Sequence, residues 1–363
     1  MNKIAVTLKD NPYDIIIGQN LLVQVSALIK DLPLGRDAVV ITDPHIRSLH
    51  GKTLTKGLKK GGFSVKVFEV PAGERSKSAK VAFDVMERIA RFDVFKKIFI
   101  IAFGGGVIGD LAGFVAATYK RGVPYIQIPT TLLAQIDSAI GGKVAVDLAV
   151  GKNLVGAFYQ PKIVISDVDV LKSLDAAQIR NGLAEAIKYG IIEDKNLFEY
   201  ISRHRKSILE SRTEQLCHIV EVSSHIKTKV VVQDEKETKG IRTILNFGHT
   251  IGHAIEAAGG YKEYQHGEAV ALGMRVAVEI SSRQKMLAQS DADAINLLIT
   301  QVGLPARIKK IELNNILAVM KYDKKFIAGR NRFVLACKIG QIKIVENIPL
   351  AVIKESVKKF MDR

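Results

Sequence analysis

The chain has 363 residues, of which 47% are hydrophobic and 25% are charged. This composition is typical of a globular protein and excludes a disordered one, and the length exceeds what one hydrophobic core usually spans, so two domains are expected. The two cysteines, Cys217 and Cys337, are too few for a thiolate metal site or a disulfide framework, and they fit a reducing cytoplasm.

The formal net charge of +16 raises the question of a nucleic-acid partner. The positive charges are spread along the chain, tryptophan is absent, and aromatic residues are only 6%, so no platform for stacking bases is indicated. Solvated basic faces and a small anionic substrate are therefore expected, without nucleic acid. The apolar run at 98–119 contains Asp110 and five glycines, so it predicts a strand, a loop and a helix, not a membrane span.

The first half of the chain alternates short β-branched runs with helical patterns, which is typical of a largely parallel sheet covered by helices. The N-terminal residues predict a strand and lack the apolar core of a signal peptide. Further strands are predicted at 37–43, 63–70, 98–103, 125–128 and 161–167. Beyond them the pattern is mainly helical, so the domain boundary is placed near residue 172. Two strands, at 332–339 and 341–345, and a final helix close the chain.

A glycine-rich loop follows the strand at 98–103. Gly104, Gly106 and Gly109 satisfy the pattern G-x-G-x-x-G at the opening of a helix, where missing Cβ atoms let backbone N–H groups approach a pyrophosphate. In the usual dinucleotide-binding fold an acid ends the next strand, whereas here the strand-end acid, Asp43, lies upstream. The loop predicts a nucleotide site of variant topology, and a tight structural turn is the alternative.

Cationic and amide side chains follow the glycine loop in the chain. Lys143 and Lys152 are each preceded by glycine, and Asn153 follows Lys152. On loops at the carboxyl edge of a sheet, such side chains are good phosphate ligands. Each one alone is typical of a solvated loop, but together with the glycine loop they favour an anion site.

Three of the eight histidines, His249, His253 and His266, fall within 18 residues of the second half. His249 and His253 are four residues apart, so on a helix they share one face. This spacing suits a metal pair, or one metal ligand beside one acid–base group, and the alternative is two surface histidines of an ordinary helix. Two histidines and a carboxylate suit zinc with positions left open for substrate, and Glu185, on a predicted helix at 182–190, is the carboxylate chosen.

Several motifs carry a family resemblance in their order and spacing, over nearly the whole chain. They are Gly73-Glu74 with Lys77, 104–110, 129–133, 137–143, Gly151-Lys152-Asn153, 182–190, 245–253 and His266-Gly267-Glu268. On these motifs the sequence resembles the 3-dehydroquinate synthase family. The resemblance implies an α/β, Rossmann-like NAD-binding domain of variant topology at 1–172, a mainly α-helical metal-binding domain at 173–363, and an active site in the cleft between them.

The resemblance also implies a reaction and its cofactors. The family converts 3-deoxy-D-arabino-heptulosonate 7-phosphate to 3-dehydroquinate and phosphate, in the second step of the shikimate pathway. Transient oxidation by NAD is followed by elimination of phosphate, return of the hydride, ring opening and aldol closure, with Zn2+ or Co2+ as the metal. A cytoplasmic homodimer is expected, whose partner is the small phosphorylated substrate and neither a nucleic acid nor a membrane.

The resemblance assigns roles residue by residue. The metal ligands are Glu185, His249 and His266. The catalytic residues are His253, Lys188, Asp137, Lys143 and Asn246. The substrate-binding residues are Arg121, Asn153, Lys227, Arg242 and Lys324, of which Lys227 and Arg242 are expected at the substrate carboxylate. Lys325 is the alternative to Lys324 at the phosphate. The cofactor-binding residues are Asp43, Glu74, Lys77, Gly105, Gly106, Val107, Asp110, Thr130, Thr131, Lys143, Lys152, Ser173 and Asn181.

One position departs from the family pattern, because members commonly have Asp-x-Asn where this chain has Asp43-Pro44-His45. A contact to the ribose or adenine is therefore expected to differ. Three other functions stay open. The first is a sister sugar phosphate cyclase, against which Lys227 and Arg242 argue, since they supply cations for a carboxylate. The others are a metal-dependent polyol or glycerol-phosphate dehydrogenase, and a basic nucleic-acid-binding protein.

Overall fold

The computed structural model describes residues 1–322 and 331–362. The chain divides into two compact units, the first formed by Met1–Asp175 with Leu216–Lys236 and the second by Ala176–Gln215 with Glu237–Arg363. The division differs from the predicted one chiefly at 216–236, a helical segment that the sequence pattern groups with the second domain. No helix in the described ranges combines the length and apolarity needed to cross a membrane.

The first unit is built around a seven-stranded sheet. The strands of this unit are β1 (Asn2–Val6), β2 (Tyr13–Gly18), β3 (Asp37–Thr42), β4 (Ser64–Glu69), β5 (Ile98–Gly104), β6 (Tyr125–Pro129), β7 (Lys143–Leu148), β8 (Gly151–Phe158) and β9 (Ile163–Asp167). The sheet has the order β1-β2-β9-β6-β5-β3-β4, and all its neighbouring strands are parallel except β1 and β2. The expected parallel sheet is thus confirmed, with one antiparallel strand added at its edge.

The helices of the first unit cover the sheet. They are α1 (Leu21–Ile29), α2 (Pro44–Ile46), α3 (Lys52–Lys60), α4 (Ala79–Phe92), α5 (Gly106–Thr118) and most of α8 (Thr213–Gln233), and a π-helical turn at Arg47–Gly51 joins α2 to α3. Every residue of β5 is buried, as expected for a parallel strand covered on both faces. Ile98, Ile100 and Ala102 pack into one core cluster with α4 and α5, because alternate side chains of a strand share a face.

The order of the strands explains the unusual position of the acid relative to the glycine loop. β4 lies on one side of β3 and β5 on the other. Successive strands are therefore added in opposite directions across the sheet from the boundary between β3 and β5, although these strands are all parallel. Parallel sheets bind ligands at such a switch point, in the crevice outside the carboxyl ends of the strands. Asp43 directly follows β3 and Gly105 directly follows β5. The acid and the loop therefore end neighbouring strands at the same edge, although the acid comes first in the sequence.

The prediction that Lys143, Lys152 and Asn153 lie on loops is wrong. β7 and β8 form an antiparallel hairpin, in which Lys143 begins β7 and both Lys152 and Asn153 belong to β8. Val144 and Val146 are buried, whereas much of β8 is exposed. The apolar alternation that marks a half-buried strand is confined to β7, and the flanking glycines favour a loop interpretation.

The second unit is mainly helical, as predicted. Its helices are α6 (Ala176–Ile192), α7 (Lys195–Leu209), α9 (His249–Ala258), α10 (His266–Arg283), α11 (Gln289–Gln301), α12 (Leu313–Tyr322) and α13 (Leu350–Lys359), with β10 (Arg332–Lys338) and β11 (Gln341–Glu346) as an antiparallel pair. The two C-terminal strands and the final helix are confirmed. α6 is buried almost throughout. A helix that is buried on all sides lies in a core, so its charged side chains need partners there.

Candidate active site

Two charged side chains lie in the middle of α6. Glu185 is 0% exposed and Lys188 is 1% exposed. They are three residues apart on one helix face, and the Lys188 ammonium forms an ion pair with the Glu185 carboxylate. Neither oxygen of Glu185 accepts a well-formed hydrogen bond from the described residues. Since a buried carboxylate is costly without full compensation, this position is suited to a cation.

His249 is the first residue of α9 and faces Glu185. It follows Gly248, whose φ of 78° lies in the left-handed region that glycine adopts readily. His249 Nε2 lies 3.3 Å from Glu185 Oε1, and its Nδ1 lies 3.2 Å from the carbonyl oxygen of Phe247. An N–H on Nδ1 that donates to this carbonyl leaves the Nε2 lone pair directed at the Glu185 side. His253 lies one turn later, with its ring perpendicular to that of His249 at 5.2 Å.

His266 is the first residue of α10, and several contacts fix its position. Gln265 and Glu268 form a capping box at the start of the helix. The Gly267 N–H donates to Asn181 Oδ1 of α6 at 2.5 Å, and a Cβ on Gly267 would lie only 2.2 Å from the Asn181 carbonyl oxygen. These contacts bring His266 Nε2 to 3.5 Å from Glu185 Oε1.

Glycines bring the two histidine-bearing helices together. A Cβ on Gly273 of α10 would lie 1.9 Å from the carbonyl oxygen of Gly248 and 2.7 Å from the N atom of Gly252. No larger residue fits at position 273 without moving the α9 backbone. The close approach of α9 and α10 at these glycines is what sets His249 beside His266, whose rings are 5.4 Å apart.

The donor set fits a divalent metal ion. The ligand atoms of Glu185, His249 and His266 all lie within 4.8 Å of one another. One carboxylate and two imidazoles suit Zn2+ or Co2+, and three protein ligands leave a fourth position for a substrate oxygen. A second group, His253 with Glu256 and His266, meets the same distance limit. Because His249 and His253 belong to different groups, the geometry favours one ligand beside an acid–base residue over a His249–His253 metal pair.

The charges of this cluster are coupled. Burial opposes ionisation of Glu185, but the Lys188 ammonium beside it outweighs this effect and holds the pKa of the carboxyl well below its usual range. Burial lowers the pKa of His249, and the Lys188 ammonium adds to this effect. Burial also opposes the charged form of His266, but Glu185 and Glu256 outweigh it and raise the pKa of this imidazole to about 10. An ionised Glu185 and a neutral His249 are ready to bind a metal, whereas His266 has a proton to release.

The glycine loop of the first unit has the geometry of an anion site. Gly104 ends β5, Gly105 caps α5, and Gly106 is the first residue of that helix. The first N–H groups of a helix lack partners within it and carry the positive end of its dipole. A Cβ on Gly105 would lie 3.1 Å from Thr131 Cγ2, and one on Gly106 would lie 3.0 Å from Ser138 Oγ. Ser138 is thus a loop neighbour that the sequence analysis missed.

Lys77, Asp110 and Asn153 form a polar cluster beside the N-terminal half of α5. The Lys77 ammonium, which is buried, forms an ion pair with Asp110 and donates to the side-chain oxygen of Asn153. The Asn153 N–H donates to Asp147 Oδ1 at 2.8 Å. Burial raises the pKa of Asp110 to about 6, although the Lys77 charge opposes this shift. The cluster joins two predicted cofactor residues to a predicted substrate residue, and Asp147 completes it.

Several other predicted cofactor side chains have protein partners. Asp43 Oδ1 accepts the Ile46 N–H at 3.0 Å, Glu74 pairs with Lys152 at 3.2 Å, and Ser173 Oγ lies 2.9 Å from His50 Nε2. The Thr130 N–H donates to the Gly104 carbonyl, which ties the end of β6 to the glycine loop. Val107 follows Gly106 in the first turn of α5. Asn181 belongs to the second unit, where it accepts the Gly267 N–H.

The predicted substrate residues fall into separate groups. Lys227 of α8 donates to Asp137 Oδ1 at 2.7 Å and to the Asp137 carbonyl oxygen at 2.6 Å. Arg242 and Asn246 lie on one 3-10 turn, Ile241–Asn246, just before α9, and Arg242 is buried. Both therefore belong to the segment that leads into the metal cluster. Lys324 lies outside the described residues.

Arg121 is not brought near the Asp110 cluster. Asp110 lies near the start of α5 and Arg121 follows its carboxyl end, so the eight-residue rise from Asp110 to Thr118 alone separates them by about 12 Å. Lys120 and Arg121 both have positive φ, at 50° and 63°, which non-glycine residues rarely adopt. Strain of this kind, about 1 to 3 kcal/mol for each residue, often marks functional segments.

Comparison with known proteins identifies the chain's relatives. The N-terminal model of the 3-dehydroquinate synthase family matches residues 67–181, and the C-terminal model of the same family matches 182–326. A 3-dehydroquinate synthase from Caldanaerobacter subterraneus subsp. tengcongensis is 46% identical over 95% of this chain and 97% of its own length. The chain belongs to the 3-dehydroquinate synthase family.

Solved structures of related cyclases share the fold of this family member. One is 2-deoxy-scyllo-inosose synthase, complexed with carbaglucose-6-phosphate, NAD+ and Co2+, with a TM-score of 0.90, 26% identity, and coverage of 99% of this chain and 100% of that one. Another is 2-epi-5-epi-valiolone synthase from Streptomyces hygroscopicus subsp. jinggangensis, with NAD+ and Zn2+ bound, with a TM-score of 0.88, 25% identity and 98% coverage of both chains. The predicted fold class and family are confirmed.

Proposed function

We propose that this enzyme converts 3-deoxy-D-arabino-heptulosonate 7-phosphate to 3-dehydroquinate and phosphate, as a phosphate-eliminating lyase that depends on NAD and a divalent metal. The observation that carries the proposal is the buried cluster of Glu185, His249 and His266, in a chain that belongs to the 3-dehydroquinate synthase family. The high identity to 3-dehydroquinate synthases favours this substrate over those of the sister cyclases, which are only 25% to 26% identical.

Glu185, His249 and His266 would hold the metal, which supplies Lewis acidity to a substrate oxygen when bound. The glycine loop would hold NAD, which when bound would supply reversible hydride acceptance. The protein's own work is positioning and proton transfer. Lys188 lies against Glu185, so its ammonium is placed to donate to a substrate hydroxyl beside the metal. His253 is exposed one turn after His249, where it can exchange a proton with substrate and contact its phosphate.

The substrate's charges require several cations and donors. Lys227 and Arg242 are the proposed ligands of the substrate carboxylate. The planar guanidinium of Arg242 can bind a carboxylate through two hydrogen bonds. The proposed phosphate ligands are Arg121, Lys143, Asn153, Asn246, His253 and Lys324. Asp137 forms an ion pair with Lys227, which orients that ammonium, and its carboxylate accepts hydrogen bonds from substrate hydroxyls.

For NAD, the backbone N–H groups of Gly105, Gly106 and Val107 are the proposed pyrophosphate ligands, because they open α5. The remaining proposed contacts come from Asp43, Glu74, Lys77, Asp110, Thr130, Thr131, Lys143, Lys152, Ser173 and Asn181. His45 follows Asp43 by two residues and is exposed, so it is available to the adenosine end in place of the usual asparagine.

The active form is a homodimer in which Arg121 of one subunit binds the substrate phosphate in the active site of the other subunit. Three observations support this part of the proposal. Arg121 follows the carboxyl end of α5, about 12 Å or more along the helix axis from Asp110 within its own unit. β8 exposes Leu154, Val155 and Phe158 to 49%, 41% and 42%, and apolar edge strands of this kind pair readily with another chain. The strand's end is tied to the Arg121 segment, because Tyr159 Oη donates to the Val123 carbonyl oxygen at 2.9 Å.

Complementation between subunits tests the dimer. Arg121→Ala and His253→Ala homodimers should each lose turnover. Coexpressed chains should recover about one quarter of the normal activity, since half of the dimers are mixed and each of these has one intact site. No recovery, with mixed dimers verified by two different affinity tags, would show that Arg121 acts within its own chain or not at all.

Phosphate release tests the main proposal. The protein is incubated with the seven-carbon acid-sugar phosphate, NAD well below the substrate concentration, and metal before and after chelation. Phosphate should exceed NAD many-fold, stop on chelation, and resume with Zn2+ or Co2+. No release with NAD and metal present would refute the proposal. NADH that accumulates in proportion to turnover would instead indicate a polyol or glycerol-phosphate dehydrogenase.

A further inference from the structure

His266 has a different carboxylate at each ring nitrogen. Its Nε2 lies 3.5 Å from Glu185 Oε1, and its Nδ1 lies 3.4 Å from Glu256 Oε2. Glu256 is on α9 and only 8% exposed. Within the described part of the chain, His266 is the one partner that the Glu256 side chain has. A buried carboxylate with a single imidazole partner therefore lies directly behind the metal cluster.

The position of Glu256 follows from the periodicity of α9. His249, His253 and Glu256 are at positions i, i+4 and i+7, which share one helix face. The face places His249 next to Glu185 and, two turns later, Glu256 next to His266. The helix thus presents a metal ligand at its start and a carboxylate further along the same stripe.

A histidine that binds a metal through one nitrogen usually donates its other N–H to a carboxylate or carbonyl group. This hydrogen bond fixes the tautomer and the ring orientation, and it makes the ligand nitrogen more basic. For His266, Nε2 faces Glu185, so the N–H belongs on Nδ1, and Glu256 is the acceptor. His249 has the equivalent arrangement, with the Phe247 carbonyl oxygen at its Nδ1.

We propose that Glu256 is a positioning residue of the metal centre, which accepts the Nδ1–H of His266 and aims its Nε2 at the metal. This role rests on the metal dependence in the proposed function but not on the identity of the substrate. The rival arrangement uses Glu256 itself as a ligand, with His253 and His266. Glu185 argues against it, because this fully buried carboxylate, which both His249 and His266 approach within 3.5 Å, would then be left out of the metal site.

The test measures metal affinity, independently of turnover. Apoprotein of the full chain is titrated with Co2+ against a chromophoric chelator, and the visible absorption of bound Co2+ is recorded. Glu256→Ala should weaken Co2+ binding about 10- to 100-fold and shift the absorption bands, as loss of such a support does elsewhere. The Co2+ affinity of Glu256→Gln should lie between those of Glu256→Ala and the unsubstituted protein, because the amide oxygen can still accept the His266 N–H. Glu279→Gln, which removes a carboxylate of α10 paired with Arg283 and Lys359, is the matched control and should leave affinity unchanged.

Two results would overturn the proposal. Affinity of Glu256→Ala within twofold of the unsubstituted protein, with a normal urea midpoint, would make Glu256 irrelevant to the metal. Equal large losses in Glu256→Ala, Glu256→Gln and His253→Ala would make Glu256 a direct ligand. A different result would refute the proposed cyclase reaction: a protein that binds Co2+ normally but releases no phosphate from the substrate.

Discussion

The distance of each histidine from Glu185 decides what that histidine can do. His249 and His266 approach the Glu185 carboxylate within 3.5 Å, whereas His253 lies one turn beyond His249 and is exposed. We therefore expect different roles for two histidines four residues apart on a helix, because only His249 lies opposite a buried negative charge. The i, i+4 spacing alone leaves both roles open.

Alanine variants separate these roles. His249→Ala should lose both metal binding and turnover, because it removes a ligand. His253→Ala should bind Co2+ as tightly as the unsubstituted protein but lose about 10²- to 10⁴-fold in turnover, the range for a proton-transfer residue. Chelator competition and phosphate release measure the two quantities. Equal metal loss in the two variants would show that the roles are assigned wrongly.

Asp110 is expected to titrate near pH 6. Its folded pKa of about 6 exceeds the unfolded value of 3.8, so the folded state holds this proton more tightly. The contribution to the free energy of unfolding is fully present below about pH 4 and is lost as the pH rises through 6, with a total of about 3 kcal/mol. Carbon-13 NMR of labelled aspartate carboxyls measures the pKa directly. Lys77→Met should raise this pKa further, and a titration near pH 4 would contradict the expectation.

At the scale of elements, the contact between α9 and α10 is the feature on which the metal cluster depends. Three glycines let the helix backbones touch, with Gly273 against Gly248 and Gly252. His249 directly follows one of these glycines, so any change in the helix separation moves a proposed metal ligand. Packing of two helices thereby becomes a condition for the chemistry.

Gly273→Ala tests this dependence. The added Cβ would meet backbone atoms at 1.9 and 2.7 Å, which cannot move as a flexible side chain would. We expect a loss of at least about 1 to 3 kcal/mol in the free energy of unfolding, together with weaker Co2+ binding. Urea unfolding and chelator competition provide the measurements. Gly51→Ala, where the Cβ would meet only the Arg47 side chain, is the helical control and should be nearly neutral.

At the scale of the whole molecule, the metal should link helices that are distant in sequence. Its proposed ligands come from α6, α9 and α10 of the second unit. A ligand that binds only the folded state adds about 2.7 kcal/mol of stability at a concentration of 100 times its dissociation constant. Thermal unfolding with and without Zn2+ should show this gain, and His249→Ala should abolish it. An equal gain in His249→Ala would place the stabilising metal elsewhere.

The large positive charge is also a property of the whole chain. With 53 basic and 37 acidic residues, and no stacking platform indicated, we expect only weak, strongly salt-dependent binding to duplex DNA. Fluorescence anisotropy with a labelled duplex should detect no binding at moderate salt. Tight binding that resists salt would favour the nucleic-acid-binding alternative over the enzyme.

Much of the fold was predictable because it depends on local patterns. The continuous apolar run of β5 and the glycines after it indicate a buried strand that leads into a helix, as the structure has it. The β7–β8 hairpin escaped prediction because β8 is largely exposed and lacks an apolar alternation. The assignment of α8 to the first unit also escaped, because its partners, such as Gln135 and Asp137, lie about 90 residues earlier.

The sequence by itself determined the family, the fold class and the residue types of the metal cluster, because glycine, histidine and carboxylate motifs in a fixed order leave few alternatives. Only the tertiary structure decided how they are arranged. It set the glycine loop beside Asp43 by placing β3 next to β5, and it paired Lys77 with Asp110. It also revealed Glu256 behind His266. These contacts join segments through packing, and a linear pattern does not record which helix faces or strand ends meet.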